Sequence, residues 1–296
     1  MNIQILHKNR DLVSTYFQEA KYQVTQNNQE VETIVSGGTN ELSKEQLQLY
    51  PNLRNIIHCC NGTNTIDINF CKQNNIQIFN SPTANINATA EHTVALILST
   101  LRKITQANKS MKQGNWNRDQ YFGKEINECQ IGFIGFGRIA RLVNQKLSNF
   151  NPKKILAYDP FLTQEQMGEN TTKVELTELF KEADIISLHL PLLESTRHMI
   201  SKDQFDLMKT ESILVNCSRG GIIDESALIG FLNKNQAAAA ALDVFENEPN
   251  VNQKLFELPN LTLTPHLGSM SKKAQLRMIT EAKENFEAKI LNTNSS

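Results

Sequence analysis

The stretch Ile131-Gly132-Phe133-Ile134-Gly135-Phe136-Gly137-Arg138-Ile139-Ala140 starts as an apolar strand and ends as the first turn of a helix. Gly135 stands where the chain must turn tightly. Gly137 stands where a backbone can approach a pyrophosphate with no Cβ in the way. A helix starting at Arg138 points the N–H groups of Arg138 and Ile139 at that space, and its positive dipole end favours an anion. Ala140, at the third position of the fingerprint, is small enough for the helix to pack closely on the strand. One helix later a second apolar strand, Lys154–Tyr158, ends in Asp159, near the spacing at which an acid meets a ribose hydroxyl. Pro160 and Phe161 follow, with no Arg or Lys at once to hold a 2′-phosphate. The expected dinucleotide is NAD rather than NADP.

Downstream, strands are expected at Ile185–Leu188, Ile213–Asn216, residues 238–243 and Leu261–Leu263. Upstream, strands at residues 3–6, 33–35, 54–58 and 77–79 alternate with helices at residues 12–19, 44–49 and 66–74, the second opened by a capping box from Ser43 to Gln46. Such alternation predicts parallel sheets whose ligand edges lie at the strand carboxyl ends. Two of those ends carry small turns, Ser36-Gly37-Gly38-Thr39 and Asn61-Gly62-Thr63-Asn64. Their backbone N–H groups can grip a carboxylate, although such residues also serve ordinary turns. A single long helix is expected over residues 87–113, with Ile97, Leu101, Ile104 and Met111 near one buried face. A final helix, residues 271–291, is expected to bury Met278, Ala282, Phe286 and Ile290.

With 296 residues the chain can bury a large core and divides most naturally into two domains. A net charge of −1 gives no sign of a nucleic acid or an anionic membrane as partner. The longest apolar runs are too short to span a bilayer. The amino terminus enters a strand directly rather than a signal peptide. Cys59, Cys60, Cys71, Cys129 and Cys217 show no metal-ligand spacing and read as buried small side chains in a reducing compartment. No metal is expected, and the location expected is cytoplasmic.

Three strand ends in the second half bear groups with chemistry: Ser218-Arg219-Gly220-Gly221, the run from Asp243 to Pro249, and Pro265-His266-Leu267-Gly268. A guanidinium, a carboxylate and an imidazole are the set needed to oxidise a 2-hydroxy acid. Arg219 can hold the substrate carboxylate in a planar two-point grip. His266 can take the hydroxyl proton as hydride leaves, and return it in reverse. Glu248 can fix the imidazole tautomer and raise its pKa.

At these residues the chain resembles the D-isomer-specific 2-hydroxyacid dehydrogenase family, through GFIGFGRIA, AYDP, LHLPL, VNCSRGGIIDESAL, ALDVFENEP and TPHLGS. The likeness runs from about Thr33 to the last helix. It implies an α/β fold of two Rossmann-like, doubly wound parallel-sheet domains with the active site in the cleft between them. Residues 1–86 and 274–296 would form the substrate-binding domain, and residues 87–273 the NAD-binding domain. By the same resemblance Arg219, Glu248 and His266 are catalytic. The cofactor contacts fall at Gly135, Gly137, Arg138, Ile139, Asp159, His189, Pro191, Cys217, Ser218, Asp243 and Gly268. Those to the substrate fall at Ser36, Gly37, Asn61, Gly62, Asn85, Arg118 and Arg219. The family forms dimers, so the partners implied are a small 2-hydroxy or 2-oxo acid and a second copy of the chain.

Within the family, residues 110–118, Tyr158-Asp159-Pro160, residues 216–221 and residues 266–275 are most similar to the branch that oxidises 3-phosphoglycerate for serine synthesis. That branch usually carries Arg where this chain has Ser36 and His58, and Gly and Asp where it has Cys60 and Asn64. Only Arg118 matches a basic residue that could serve a substrate phosphate. The alternative substrate is therefore an unphosphorylated 2-oxo acid such as hydroxypyruvate or glyoxylate, and a catalytically silent NAD-sensing protein is a remote third reading. The chain ends after the returning helix, so feedback by serine through a further carboxyl-terminal domain is not expected.

Overall fold

Ile34, Val35, Ile56, Ile57, Leu214 and Val215 are all fully buried. Consecutive buried positions of this kind make strands covered on both faces, as parallel sheets flanked by helices require. The computed structural model of the chain describes residues 1–293 apart from Ala20 and Thr39, so Thr39 of the first glycine turn lies outside the described residues. The chain folds as two compact units, one of Met1–Asn85 with Ser269–Ser296, the other of Ile86–Gly268.

In the first unit, β1 (Asn2–Leu6), β2 (Gln23–Val24), β3 (Thr33–Ser36), β4 (Asn55–His58) and β5 (Gln77–Asn80) form one parallel sheet in the order β2-β1-β3-β4-β5. Register places Ser36 opposite His58 at the carboxyl edge. One face packs Ile3, Val35 and Ile57 against Phe17 and against Ile279, Ala282 and Phe286 of the returning helix Lys272–Thr293. The other packs Ile34 and Ile56 against Leu42, Leu47 and Cys71. Ser43 caps the helix Lys44–Leu47 by accepting from the Gln46 N–H.

In the second unit, β6 (Gln130–Ile134), β7 (Lys154–Tyr158), β8 (Thr172–Lys173), β9 (Ile185–Leu188), β10 (Ile213–Asn216), β11 (Ala239–Leu242) and β12 (Leu261–Leu263) form a second parallel sheet, ordered β12-β11-β10-β9-β6-β7-β8. Strand order reverses between β6 and β9. The crevice outside a doubly wound sheet opens at such a reversal, here between the turn after β6 and the loop after β9. The expected α/β, doubly wound fold is present in both units.

Two expectations are corrected. The predicted long helix is two, Ile86–Leu101 and Ile104–Lys112, because Lys103 takes a left-handed conformation at φ +52°. The break turns the apolar stripe: Ile97 and Leu101 are buried, whereas Ile104 and Met111 are exposed. The short strands β2 and β8 were not foreseen. Among the described residues, no helix is long and apolar enough to cross a membrane.

Candidate active site

β6 ends in the glycine turn. Gly135 has φ +81°, and a Cβ there would lie 2.5 Å from the His189 carbonyl oxygen, so only glycine brings this turn against the loop after β9. Gly137 faces open space, with nothing within 4 Å of an added Cβ. It is the N-cap of the helix Arg138–Ser148, which no side chain caps. An uncapped helix end beside space that no side chain fills suits a phosphate. Asp159, at the end of β7, accepts from the N–H of Phe136 through Oδ2 (2.9 Å) and from that of Phe161 through Oδ1 (3.0 Å). The carboxylate thus braces the glycine turn, and each oxygen keeps capacity for a ribose hydroxyl. These residues fit a dinucleotide.

The loop after β9 is more inward-looking than expected. His189 hydrogen-bonds Ser187 Oγ at 2.8 Å, and burial pushes its pKa down to about 3, so the ring is neutral. The His189 carbonyl and the Leu190 side chain lie against the glycine turn, and Pro191 is exposed. At the end of β10, burial pushes the Cys217 thiol up to about 12, which leaves it unreactive.

The side chain of Asn216, also at the end of β10, folds the next turn. Its Oδ1 accepts from the Ser218 N–H and hydroxyl, and its Nδ2 donates to the Arg219 carbonyl. Gly220 then brings this turn onto the loop after β11, since a Cβ there would lie 1.9 Å from the carbonyl group of Phe245. Contact at Gly220 fixes where Arg219 and the Glu248 loop meet. Glu225 and Glu246 clasp the same two segments, each carboxylate accepting the other's backbone N–H at 2.9 and 2.8 Å.

Glu248 accepts from the Phe245 N–H at 2.9 Å through Oε1, while Oε2 lies 2.6 Å from His266 Nδ1. The hydrogen bond to Glu248 raises the His266 pKa. Burial, and to a smaller extent the positive charge of Arg219, push the other way. Glu248 and His266 therefore pair directly, and Gly220 sets the Arg219 turn against the same loop, with the guanidinium donating to the Ser218 carbonyl at 2.6 Å.

Asp243 is 1% exposed, and its carboxylate is engaged. Oδ1 accepts from the Thr264 hydroxyl (2.6 Å), the Leu267 N–H (2.7 Å) and His92 Nε2 (3.1 Å), and Oδ2 from the Gly268 N–H (2.8 Å). The resemblance gave Asp243 to the cofactor. In the structure its carboxylate holds the turn that carries His266, and Gly268 is buried as the end of that turn. His92 was missed, because a histidine within an apolar helix gives no local sign of its partner.

The substrate residues expected in the first unit lie at the carboxyl edge of its sheet. Gly37 is buried, its N–H bonded to Asn40 Oδ1, and a Cβ on it would strike the His7 ring at 2.6 Å. The expectation for the Ser36 side chain is corrected. It is wholly buried, its Oγ lies 2.9 Å from His58 Nδ1, and His58 Nε2 reaches the Gly62 carbonyl at 3.0 Å. Ser36 and His58 thus tie the two glycine turns together. Burial pushes the His58 pKa down to about 4, so no cation stands there at neutral pH. Asn61 accepts from Asn80 Nδ2 through its carbonyl. The Asn85 Oδ1 is buried without a hydrogen-bond partner, a state that a donor on a ligand would relieve. Arg118, in the second unit, lies exposed on the turn Arg118–Gln120, lining an open polar cavity of about 460 Å³ with Trp116, Asn117, Asp119 and Gln120.

Residues 94–268 match the family model described as "D-isomer specific 2-hydroxyacid dehydrogenase, NAD binding domain". The chain is 41% identical over 226 residues to the D-3-phosphoglycerate dehydrogenase of Bacillus subtilis (strain 168), covering 75% of this chain and 42% of that protein. It is 37% identical over 258 residues to the hydroxypyruvate reductase of Thermotoga maritima, covering 86% and 83% respectively. It also resembles the crystal structure of D-lactate dehydrogenase from Aquifex aeolicus complexed with NAD and lactic acid, with a TM-score of 0.86 at 27% identity, covering 99% of this chain and 96% of that one. The chain spans less than half the length of the phosphoglycerate dehydrogenases it matches. With more than half of its residues under the family model, and the glycine turn and the His266 turn inside the match, the chain belongs to the D-isomer-specific 2-hydroxyacid dehydrogenase family.

Proposed function

We propose that the chain is an NAD-dependent oxidoreductase that interconverts a D-2-hydroxy acid and its 2-oxo acid. The observation that carries this reading is the 2.6 Å pairing of His266 with Glu248 in the unit that bears the glycine turn. NAD, when bound, supplies the hydride acceptor or donor. In this reading Arg219 holds the substrate carboxylate and polarises the carbonyl. Glu248 keeps a proton on His266 Nδ1, so Nε2 exchanges the proton of the substrate hydroxyl. The backbone N–H groups of Asn61 and Gly62 and the side chain of Asn85 are the groups of residues 1–85 left for the substrate, the Gly37 N–H being held by Asn40. Asp159 selects the unphosphorylated ribose of NAD.

The neutral, buried Ser36–His58 pair favours a small unphosphorylated acid, such as hydroxypyruvate or glyoxylate. A phosphate lacking its cations forgoes charge-assisted hydrogen bonds of roughly 1.5–3 kcal/mol each. The second reading is 3-phosphoglycerate, favoured by the names of several relatives and by the exposed Arg118. NADH oxidation with phosphohydroxypyruvate, hydroxypyruvate and glyoxylate at equal concentration separates the two. A kcat/KM at least tenfold higher for the phosphorylated acid, about 1.4 kcal/mol, would establish the second reading and make Arg118 the phosphate residue to mutate. A preference for the unphosphorylated acids is the result expected.

A further inference from the structure

His92 stands on the helix Ile86–Leu101 with its side chain 19% exposed. Its Nε2 lies 3.1 Å from Asp243 Oδ1 and 3.2 Å from Thr264 Oγ1. A carboxylate only accepts, so Nε2 carries the proton and donates. Asp243 in turn binds three successive backbone N–H groups: its carbonyl takes that of His266 (2.9 Å), its carboxylate those of Leu267 and Gly268. His266 itself sits at φ +53°, a conformation that an L side chain adopts only when its surroundings hold it there. The imidazole that meets Glu248 is therefore presented by a turn whose shape depends on the orientation of one buried carboxylate. His92 is the side-chain donor that reaches this carboxylate from the helix.

We propose that His92 is a positioning residue for His266, acting through the carboxylate of Asp243. The proposal rests on the reading of His266 as the group that exchanges the substrate proton. His92 locks the Asp243 carboxylate from the helix side, the carboxylate locks the turn from residue 266 to 268, and the turn holds the imidazole against Glu248. A competing use of the same residues is a metal site, since His92, Cys217 and Asp243 offer ligand atoms within 4.8 Å of one another. The chemistry opposes it. Four N–H and O–H donors already turn their positive ends toward the carboxylate, and a cation bound there would have to displace them. The cluster is a hydrogen-bond network.

The test compares His92→Gln, which keeps a terminal N–H donor, with His92→Phe, which keeps a ring and has none. In cofactor-free protein, NMR reads amide exchange at Leu267 and Gly268 and the titration of the His266 ring. In the presence of NADH, steady-state kinetics read kcat for a 2-oxo acid. With His92→Phe we expect exchange at both amides at least tenfold faster, a displaced His266 titration, and kcat reduced tenfold or more. His92→Gln should recover all three to within threefold of wild type. Unchanged exchange and titration in His92→Phe would overturn the proposal. So would equal loss in both variants, which marks packing rather than the donor. The NMR measurements need neither substrate nor turnover, so they decide the positioning role even if the dehydrogenase reading fails.

Discussion

His266 Nδ1 lies 2.6 Å from Glu248 Oε2, and the other oxygen of Glu248 is held by the Phe245 N–H at 2.9 Å. The carboxylate is fixed at both ends, so it sets both the rotation of the imidazole and the nitrogen that carries its resting proton. Its negative charge also favours the imidazolium. Glu248 is correspondingly held below the usual carboxylate range by the same hydrogen bond.

A pH profile follows with a definite sign. The His266 pKa is raised, so the imidazolium survives above the ordinary histidine range and is lost as pH climbs through the folded value. Reduction of a 2-oxo acid needs the protonated ring, so its kcat/KM should fall across that pH range, while oxidation should rise. Glu248→Gln removes the charge and should move both limbs to lower pH. Profiles that coincide with wild type would show that Glu248 does not govern the proton on His266.

At Gly220, an added Cβ would lie 1.9 Å from the Phe245 carbonyl group. Backbone rather than a flexible side chain must move, so Gly220→Ala should cost about 1–3 kcal/mol or more. We expect a melting temperature lower by about 5 °C or more and a larger loss in kcat/KM than the stability change explains. A variant with wild-type melting and kinetics would show that the Arg219 and Glu248 loops tolerate separation.

Asp159 is expected to serve the ribose while bracing the glycine turn through the Phe136 N–H. Asp159→Ala should weaken NAD roughly 10- to 100-fold, the loss of a hydrogen bond to a charged group, and narrow discrimination against NADP. Equilibrium fluorescence titration with both dinucleotides reads this. Unchanged affinity for NAD would remove Asp159 from the cofactor site.

His58 gives the first unit an acid-sensitive element. Its folded pKa is depressed to about 4, whereas the unfolded chain protonates near 6.5. The unfolded state therefore binds the extra proton between these values, and stability falls as pH drops through that window, by roughly 1.4 kcal/mol per pH unit. His58→Gln should flatten this slope in denaturant titrations at pH 6.5, 5.5 and 4.5. A slope unchanged in the variant would mean that other groups dominate acid unfolding.

Much of the fold was legible because its signals are local. Ile131–Ala140 carries strand, turn and helix start within one stretch, and β7, β9, β10 and β12 match the expected bounds. The helix break at Lys103 was not, because nothing in Arg102-Lys103-Ile104 resembles a glycine or proline stop. The edge strands β2 and β8, two residues each, carry too little pattern to read. At the site, Arg219, Glu248 and His266 could be named from strand ends. The employment of Asp243 and Ser36 could not, since their partners His92 and His58 are brought to them by folding.

The most direct measurement is stopped-flow NADH oxidation with phosphohydroxypyruvate, hydroxypyruvate and glyoxylate by the wild-type protein and by His266→Ala, with NADH binding measured separately. We expect turnover by the wild type, a loss on the order of 10²–10⁴ in the variant, and NADH affinity unchanged between them. Full turnover by His266→Ala, or a wild type that binds NADH yet reduces none of the three 2-oxo acids, would contradict the proposed mechanism.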